Sequence, residues 1–274
     1  MTTSVFIADS LDKGLVRRSF EQAAGHYNQF TGLQREIGDC LMQRHILDQS
    51  FVGNVLDIGA GTGYLTQQLV RAFPAARVHA LDISLGMLQQ TRGYVMADEK
   101  LELVCADVDQ LSFIGNSMDV VCSNLALQWC SDLSTTYAQV FDVLKPKGEF
   151  VFATFGPNTL QELKRAWQSA DDAVHVNSFV AENEIVGYLN AAGFDDISVS
   201  SEDLLMYYES PKQLMLDLKG MGAHNINKGR QPGLTGVTAY KKMLNTYEAL
   251  RTNKGIPATF QAIYASATKS SVNK

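Results

Sequence analysis

The sequence holds only four cysteines, Cys40, Cys105, Cys122 and Cys130, and no CxxC pair among them. That spacing excludes a finger-type zinc site, and so sparse a set is no disulfide framework for 274 residues. No apolar run is long enough to cross a bilayer. The opening residues, MTTSVFIADS, lack a basic stretch followed by an apolar one, so the chain is expected in the cytoplasm, with no membrane partner. Low-complexity tracts and internal repeats are also missing. What is left is an ordinary globular balance, 46% hydrophobic and 19% charged, sized for one large domain or a domain with an elaborated lid.

Positive charge is scarce overall, at net −6, which argues against a nucleic-acid partner. It is unevenly spread. Residues 210–256 carry Lys212, Lys219, Lys228, Arg230, Lys241, Lys242, Arg251 and Lys254 against only Asp217 and Glu248. That is +6 locally, leaving −12 for the rest. Such a segment is either a solvated helix face or a docking surface for an anionic partner.

From residue 50 onward, short apolar runs alternate with longer amphipathic ones. Strands are expected at 54–58 (NVLDI), 77–83, 101–107, 117–123 and 149–155. Helices are expected at 62–73, 84–96 and 135–145, the last stopped by Pro146 and Gly148. This alternation predicts βαβ units and an α/β, doubly wound, mostly parallel sheet, with ligands at the carboxyl ends of its strands. Residues 11–50 read as helices. Further helices are expected near 158–172 and 181–192, then strand-like DISVSS, LLMYYE and, near the end, ATFQAIYAS.

The first strand runs into DIGAGTGY, with glycines at 59, 61 and 63. A dinucleotide fingerprint needs GxGxxG, whereas Tyr64 fills the position where close helix–strand packing is required, and no GK[ST] follows to make a P-loop. Asp57, two residues before Gly59, would face a pyrophosphate with the wrong sign but suits an ammonium group. Asp82 ends the second strand, where an acid accepts from ribose hydroxyls. Asp107 ends the third, within reach of an adenine amino group. An adenosine with a cationic amino-acid tail satisfies all three, and that ligand is S-adenosylmethionine. Each acid alone is equally a loop or cap residue; their recurrence at three successive strand ends carries the inference.

GxGxG with these acids resembles the class I S-adenosylmethionine-dependent methyltransferases. That resemblance implies a Rossmann-like sheet closed by an antiparallel hairpin, for which LLMYYE and ATFQAIYAS are the candidates. Several outlying stretches are more distinctive: SFEQAAGHYNQFTGLQ (19–34), SNLALQWCSDL (123–133), FATFGPNTLQELKRAW (152–167), HVNSF (175–179), LKGMGAHN (218–225), GLTG (233–236) and GIPATFQAIY (255–264). From about Lys13 to Tyr264 the chain resembles the malonyl-acyl-carrier-protein O-methyltransferases of biotin synthesis. Two departures, Lys147 where glycine is usual and Ala60 in the loop, fall in turns that use backbone. The resemblance implies methylation of the free carboxylate of a malonyl thioester, on acyl carrier protein or coenzyme A, the ester that starts pimeloyl synthesis. Another small carboxylic acid is the alternative substrate. A second alternative is a non-catalytic member, against which the three intact acids argue.

The expected layout is a helical cap (1–50), a cofactor-binding core (51–209), a basic helical lid (210–256) and a last strand with its tail (257–274). With the cofactor we group Tyr27, Asp57, Gly59, Ala60, Gly61, Gly63, Asp82, Ile83, Met87, Asp107, Val108 and Asn124. Asn124 ends the fourth strand, under the methionine part. Tyr27 is a core aromatic by its spacing; the resemblance makes it a wall of the methyl-transfer pocket. Gln128 and Trp129 follow the fourth strand as substrate contacts or as packing. His175 and Asn177 are substrate contacts or surface-loop residues. Lys219, His224, Asn225 and Arg230 are candidates to pair with the malonyl carboxylate, and the arginine fork matches it best. Tyr27, His175 and Arg230 form the catalytic set.

Overall fold

The computed structural model describes residues 12–45, 53–95, 99–221 and 236–271. Two helices open it, α1 (Lys13–Ala23) and α2 (Gly32–Arg44). The alternating block follows as β1 (Asn54–Ile58), α3 (Tyr64–Ala72), β2 (Arg77–Asp82), α4 (Leu85–Tyr94), β3 (Leu101–Cys105), β4 (Met118–Asn124), α5 (Leu133–Val143) and β5 (Leu144–Phe155). After it come α6 (Gln161–Gln168), α7 (Glu182–Ala192), β6 (Phe194–Tyr208), α8 (Pro211–Gly220), α9 (Val237–Glu248) and β7 (Ile256–Lys269). No helix among the described residues is long and apolar enough to cross a membrane.

One seven-stranded sheet runs in the order β3-β2-β1-β4-β5-β7-β6. The expected doubly wound sheet is there: β1 pairs in parallel with β2 and β4, and only β7 runs antiparallel, between β5 and β6. The two short runs DISVSS and LLMYYE form one strand, β6, with a register shift between Asp195 and Ser198. Their separation in the sequence is the polar stretch Ser201–Glu202–Asp203, which β7 pairs straight through. β5 likewise starts earlier than its apolar run, because Leu144 already pairs with Met118 of β4 and the ladder resumes at Glu149 after a register shift.

Period-2 alternation splits each central strand between two cores. Val55, Val120, Val151 and Ala153 face α2, α3, α6 and α9; Leu56, Val121, Phe150 and Phe152 face α5 and α7. The basic segment is part of this packing. Leu214 of α8 and Met243 and Tyr247 of α9 are fully buried in the first core, while Lys241 and Lys242 point to solvent.

Candidate functional site

Every parallel strand of the central trio ends at the same edge, and there the chain leaves a cleft of about 630 Å³. The glycine loop forms its floor. Gly59 has φ 74°, and a Cβ on it would lie 2.1 Å from the Cβ of Ala126, so only glycine lets the β1 and β4 loops meet. Gly63 has φ 91°, and its Cβ would press to 3.0 Å on Thr91 of α4. Tyr64, one residue later, lies beside α2, its ring under Arg35 and its hydroxyl donating to Asp39 at 2.8 Å.

Asp82 organises this floor. Its Oδ2 accepts from Gly61 N at 2.9 Å and its Oδ1 from Ser84 N at 2.8 Å. Burial raises its pKa to about 6, against the pull of those backbone bonds. Asp57 is only 1% exposed; its Oδ2 accepts from Thr66 Oγ1 at 2.6 Å and its Oδ1 has no partner among the described residues. Burial, opposed by the Thr66 hydroxyl and reinforced by Asp82, pushes Asp57 to about 7. Asn124 donates to the Gln34 carbonyl at 2.9 Å and likewise keeps a buried, unpartnered Oδ1. Two buried carboxylates and two orphaned acceptors define a place for a cation with N–H donors, not for a phosphate.

The cleft is lined by Tyr27, Gly59, Gly61, Asp82, Ile83, Met87, Asp107, Val108, Asn124 and Trp129 of the cofactor and substrate candidates. Asp57, Ala60 and Gly63 stand behind that surface as its support. A second compartment of about 530 Å³ adjoins it, lined by Gln34, Gln128, Phe155, Asn177, Phe179, Leu218, Met221 and others. Phe20, Tyr27, Leu125 and Trp129 line both spaces. Leu125 holds this position with φ 54°, the left-handed region that side chains rarely adopt, secured by its N–H donating to Ala153 at 2.8 Å. Phe20 meets Trp129 edge-on, ring centres 5.5 Å apart. Burial, with Asp82 beside it, raises Tyr27 to about 12, so its phenol stays protonated at neutral pH.

Two candidates lie elsewhere. His175 stacks on Trp167 at 3.6 Å between ring centres and is bonded to Asp171 at 2.7 Å, and it lines neither compartment. In the fold its ring packs on the indole of the neighbouring helix, outside both spaces. Lys219 is exposed on α8 and lines neither space. His224, Asn225 and Arg230 lie outside the described residues.

Sequence reasoning missed Lys13, Val16, Phe20 and Gln34. The first three recur at helical spacing and so share the face of α1 that roofs the cleft. A signal was present: Lys13 occupies the first turn of a helix with no acid there, where the helix dipole disfavours a cation.

A methyltransferase-domain family model matches residues 55–148. A malonyl-[acyl-carrier protein] O-methyltransferase of Gallionella capsiferriformans is 39% identical, over 94% of this chain and 91% of its own length. One from Nitrosospira multiformis is 38% identical, over 94% and 90%. Among solved structures, phosphoethanolamine N-methyltransferase 2 of Haemonchus contortus, in complex with S-adenosyl-L-methionine, superposes with a TM-score of 0.59 at 20% identity. It covers 91% of this chain and 57% of that one, a likeness of fold alone.

Proposed function

The chain belongs to the malonyl-[acyl-carrier protein] O-methyltransferase family, and on that premise we propose that it methylates the free carboxylate of a malonyl thioester carried on acyl carrier protein. The observation that supports this best is the pair of compartments meeting at Phe20, Tyr27, Leu125 and Trp129. One compartment has buried acids and orphaned acceptors suited to a cationic nucleoside. The other is walled mainly by apolar side chains and suits an acyl thioester.

S-adenosylmethionine, when bound, supplies an electrophilic methyl group on a positively charged sulfur. Asn124 offers its unpartnered oxygen to its ammonium group, with the buried Asp57 carboxylate behind it as a source of negative charge, Asp82 its carboxylate to the ribose, and Asp107 its own to the base. No residue has to remove a proton, because a malonyl carboxylate is already ionised at neutral pH. The neutral Tyr27 accords with that, as a wall and not a base. The task left to the chain is alignment and the exclusion of water, which would otherwise stabilise the separated ions. Phe20, Tyr27 and Trp129 do both at the junction. Leu218 and Met221, at the end of α8, close the far side against Gln34, whose Nε2 lies 2.6 Å from the Met221 sulfur.

On this reading residues 210–256 serve as lid and dock. Carrier proteins are acidic, and the exposed Lys241 and Lys242 on α9 give a protein of net charge −6 a local positive face. The enzyme would work in the cytoplasm. The test is incubation with methyl-labelled S-adenosylmethionine and malonyl carrier protein, malonyl coenzyme A, other small acids and RNA in parallel. Base-labile label on the malonyl thioesters is expected. Label confined to another acid would move the substrate, and label on none would refute the assignment.

A further inference from the structure

Lys13 is held at the base end of the cleft by two carboxylates. Its Nζ donates to Asp107 Oδ1 at 3.0 Å and pairs with Asp109 Oδ2 at 2.9 Å. Asp109 is itself fixed, accepting from Ser131 N at 3.1 Å, while its carbonyl accepts from Gln139 Nε2 at 3.0 Å. The ammonium is therefore anchored to a rigid turn, not trailing in solvent; its side chain is 22% exposed. Asp107 Oδ1 accepts a second bond, from Asp109 N at 3.0 Å. Both bonds to Asp107 use the same oxygen. Oδ2 has no partner among the described residues, on a side chain that lines the cleft.

We propose that Lys13 is a positioning residue that sets the base preference of the cofactor site, by holding Asp107 through Oδ1 so that Oδ2 is presented to an exocyclic amino group. This rests on the cofactor reading above. A carboxylate oxygen accepts and cannot donate, so it recognises the N–H of a 6-aminopurine and gains nothing from a purine with hydrogen at that position. Without the ammonium, Asp107 and Asp109 are two neighbouring like charges that repel, and Asp107 is held by the Asp109 N–H alone. Discrimination then falls while the rest of the cleft persists. Helix α1 is latched separately at its other end, where Glu21 accepts from Ser84 Oγ at 2.6 Å and from Gly86 N at 3.1 Å. That second latch separates roofing from base recognition.

The experiment is calorimetric binding of S-adenosylhomocysteine and of its 6-deamino purine analogue to the full chain and four variants. Wild type is expected to favour the adenine ligand by about tenfold or more, the range for a hydrogen bond to a charged acceptor. Lys13→Met should bring that ratio below about threefold, and Lys13→Leu, which also cannot donate, should do the same if the Met variant folds poorly. Lys13→Arg should restore the ratio. Glu21→Gln should weaken both ligands alike and leave the ratio unchanged. Equal losses for both ligands in Lys13→Met, or no preference in wild type, would overturn the proposal. Failure of wild type to bind either ligand would remove the cofactor assignment beneath it instead.

Discussion

Asp57→Asn should make the ligand-free protein more stable above neutral pH and less able to bind its cofactor. The carboxyl is buried, with one oxygen bonded to Thr66 and the other without a partner among the described residues, and burial pushes it up to about 7 from an ordinary value of 3.8. Between about pH 4 and 7 the unfolded chain gives up this proton and the folded one keeps it. Stability from this group is therefore present at low pH and lost as pH rises through 7. At 1.36 kcal/mol per unit, the full shift bounds the loss at on the order of 4 kcal/mol. The isosteric amide does not ionise, but its Nδ2 takes the place of the unpartnered oxygen and costs about 1–3 kcal/mol as an unsatisfied donor. The net gain at pH 8 is thus about 2 kcal/mol, or roughly 4–8 °C in Tm for a domain of this size. Denaturant unfolding of both proteins from pH 5 to 8 should show their difference widening by roughly 2–3 kcal/mol in favour of asparagine. Affinity for S-adenosylhomocysteine should fall about tenfold, since the buried negative charge behind its ammonium group is gone. Parallel stability curves across that range would refute the reasoning, because the buried carboxyl would then not be carrying the pH dependence.

His175→Ala should lower stability by about 1–2 kcal/mol through the lost stack on Trp167 while leaving kcat within about twofold. Loss of turnover in the folded variant would return His175 to the site. Lys147 sits at φ 68°, where the family usually has glycine, so Lys147→Gly should stabilise by about 0.5–1 kcal/mol in thermal unfolding, with activity unchanged; destabilisation would show that the turn is not strained. Reversing Lys241 and Lys242 to Glu should raise KM for malonyl carrier protein, most at low salt, and change malonyl coenzyme A kinetics much less. Equal losses for both substrates would point to a shared cleft contact instead of a dock.

The strand-to-helix alternation, the glycine loop and Asp57, Asp82 and Asp107 were all legible in the sequence, because each depends on local spacing: period 2, period 3.6, and an acid within two residues of a strand's end. Chain-wide likeness in stretches such as HVNSF told the family but not the duty of each residue. His175 shows the limit, since a histidine in such a stretch is equally a contact or a surface-loop residue, and its stack on Trp167 is seen only in the tertiary structure. Tyr64, which breaks the dinucleotide fingerprint, finds its place through α2, where Asp39, 25 residues earlier, accepts its hydroxyl. The insertion of β7 between β5 and β6 joins segments whose periodicity carries no partner label. Above all, the sequence places Lys13 94 residues from Asp107, and their meeting over the cleft is a property of tertiary packing alone. Short-range pattern determined the elements and the acids that edge the sheet; long-range contact decided which side chains face them.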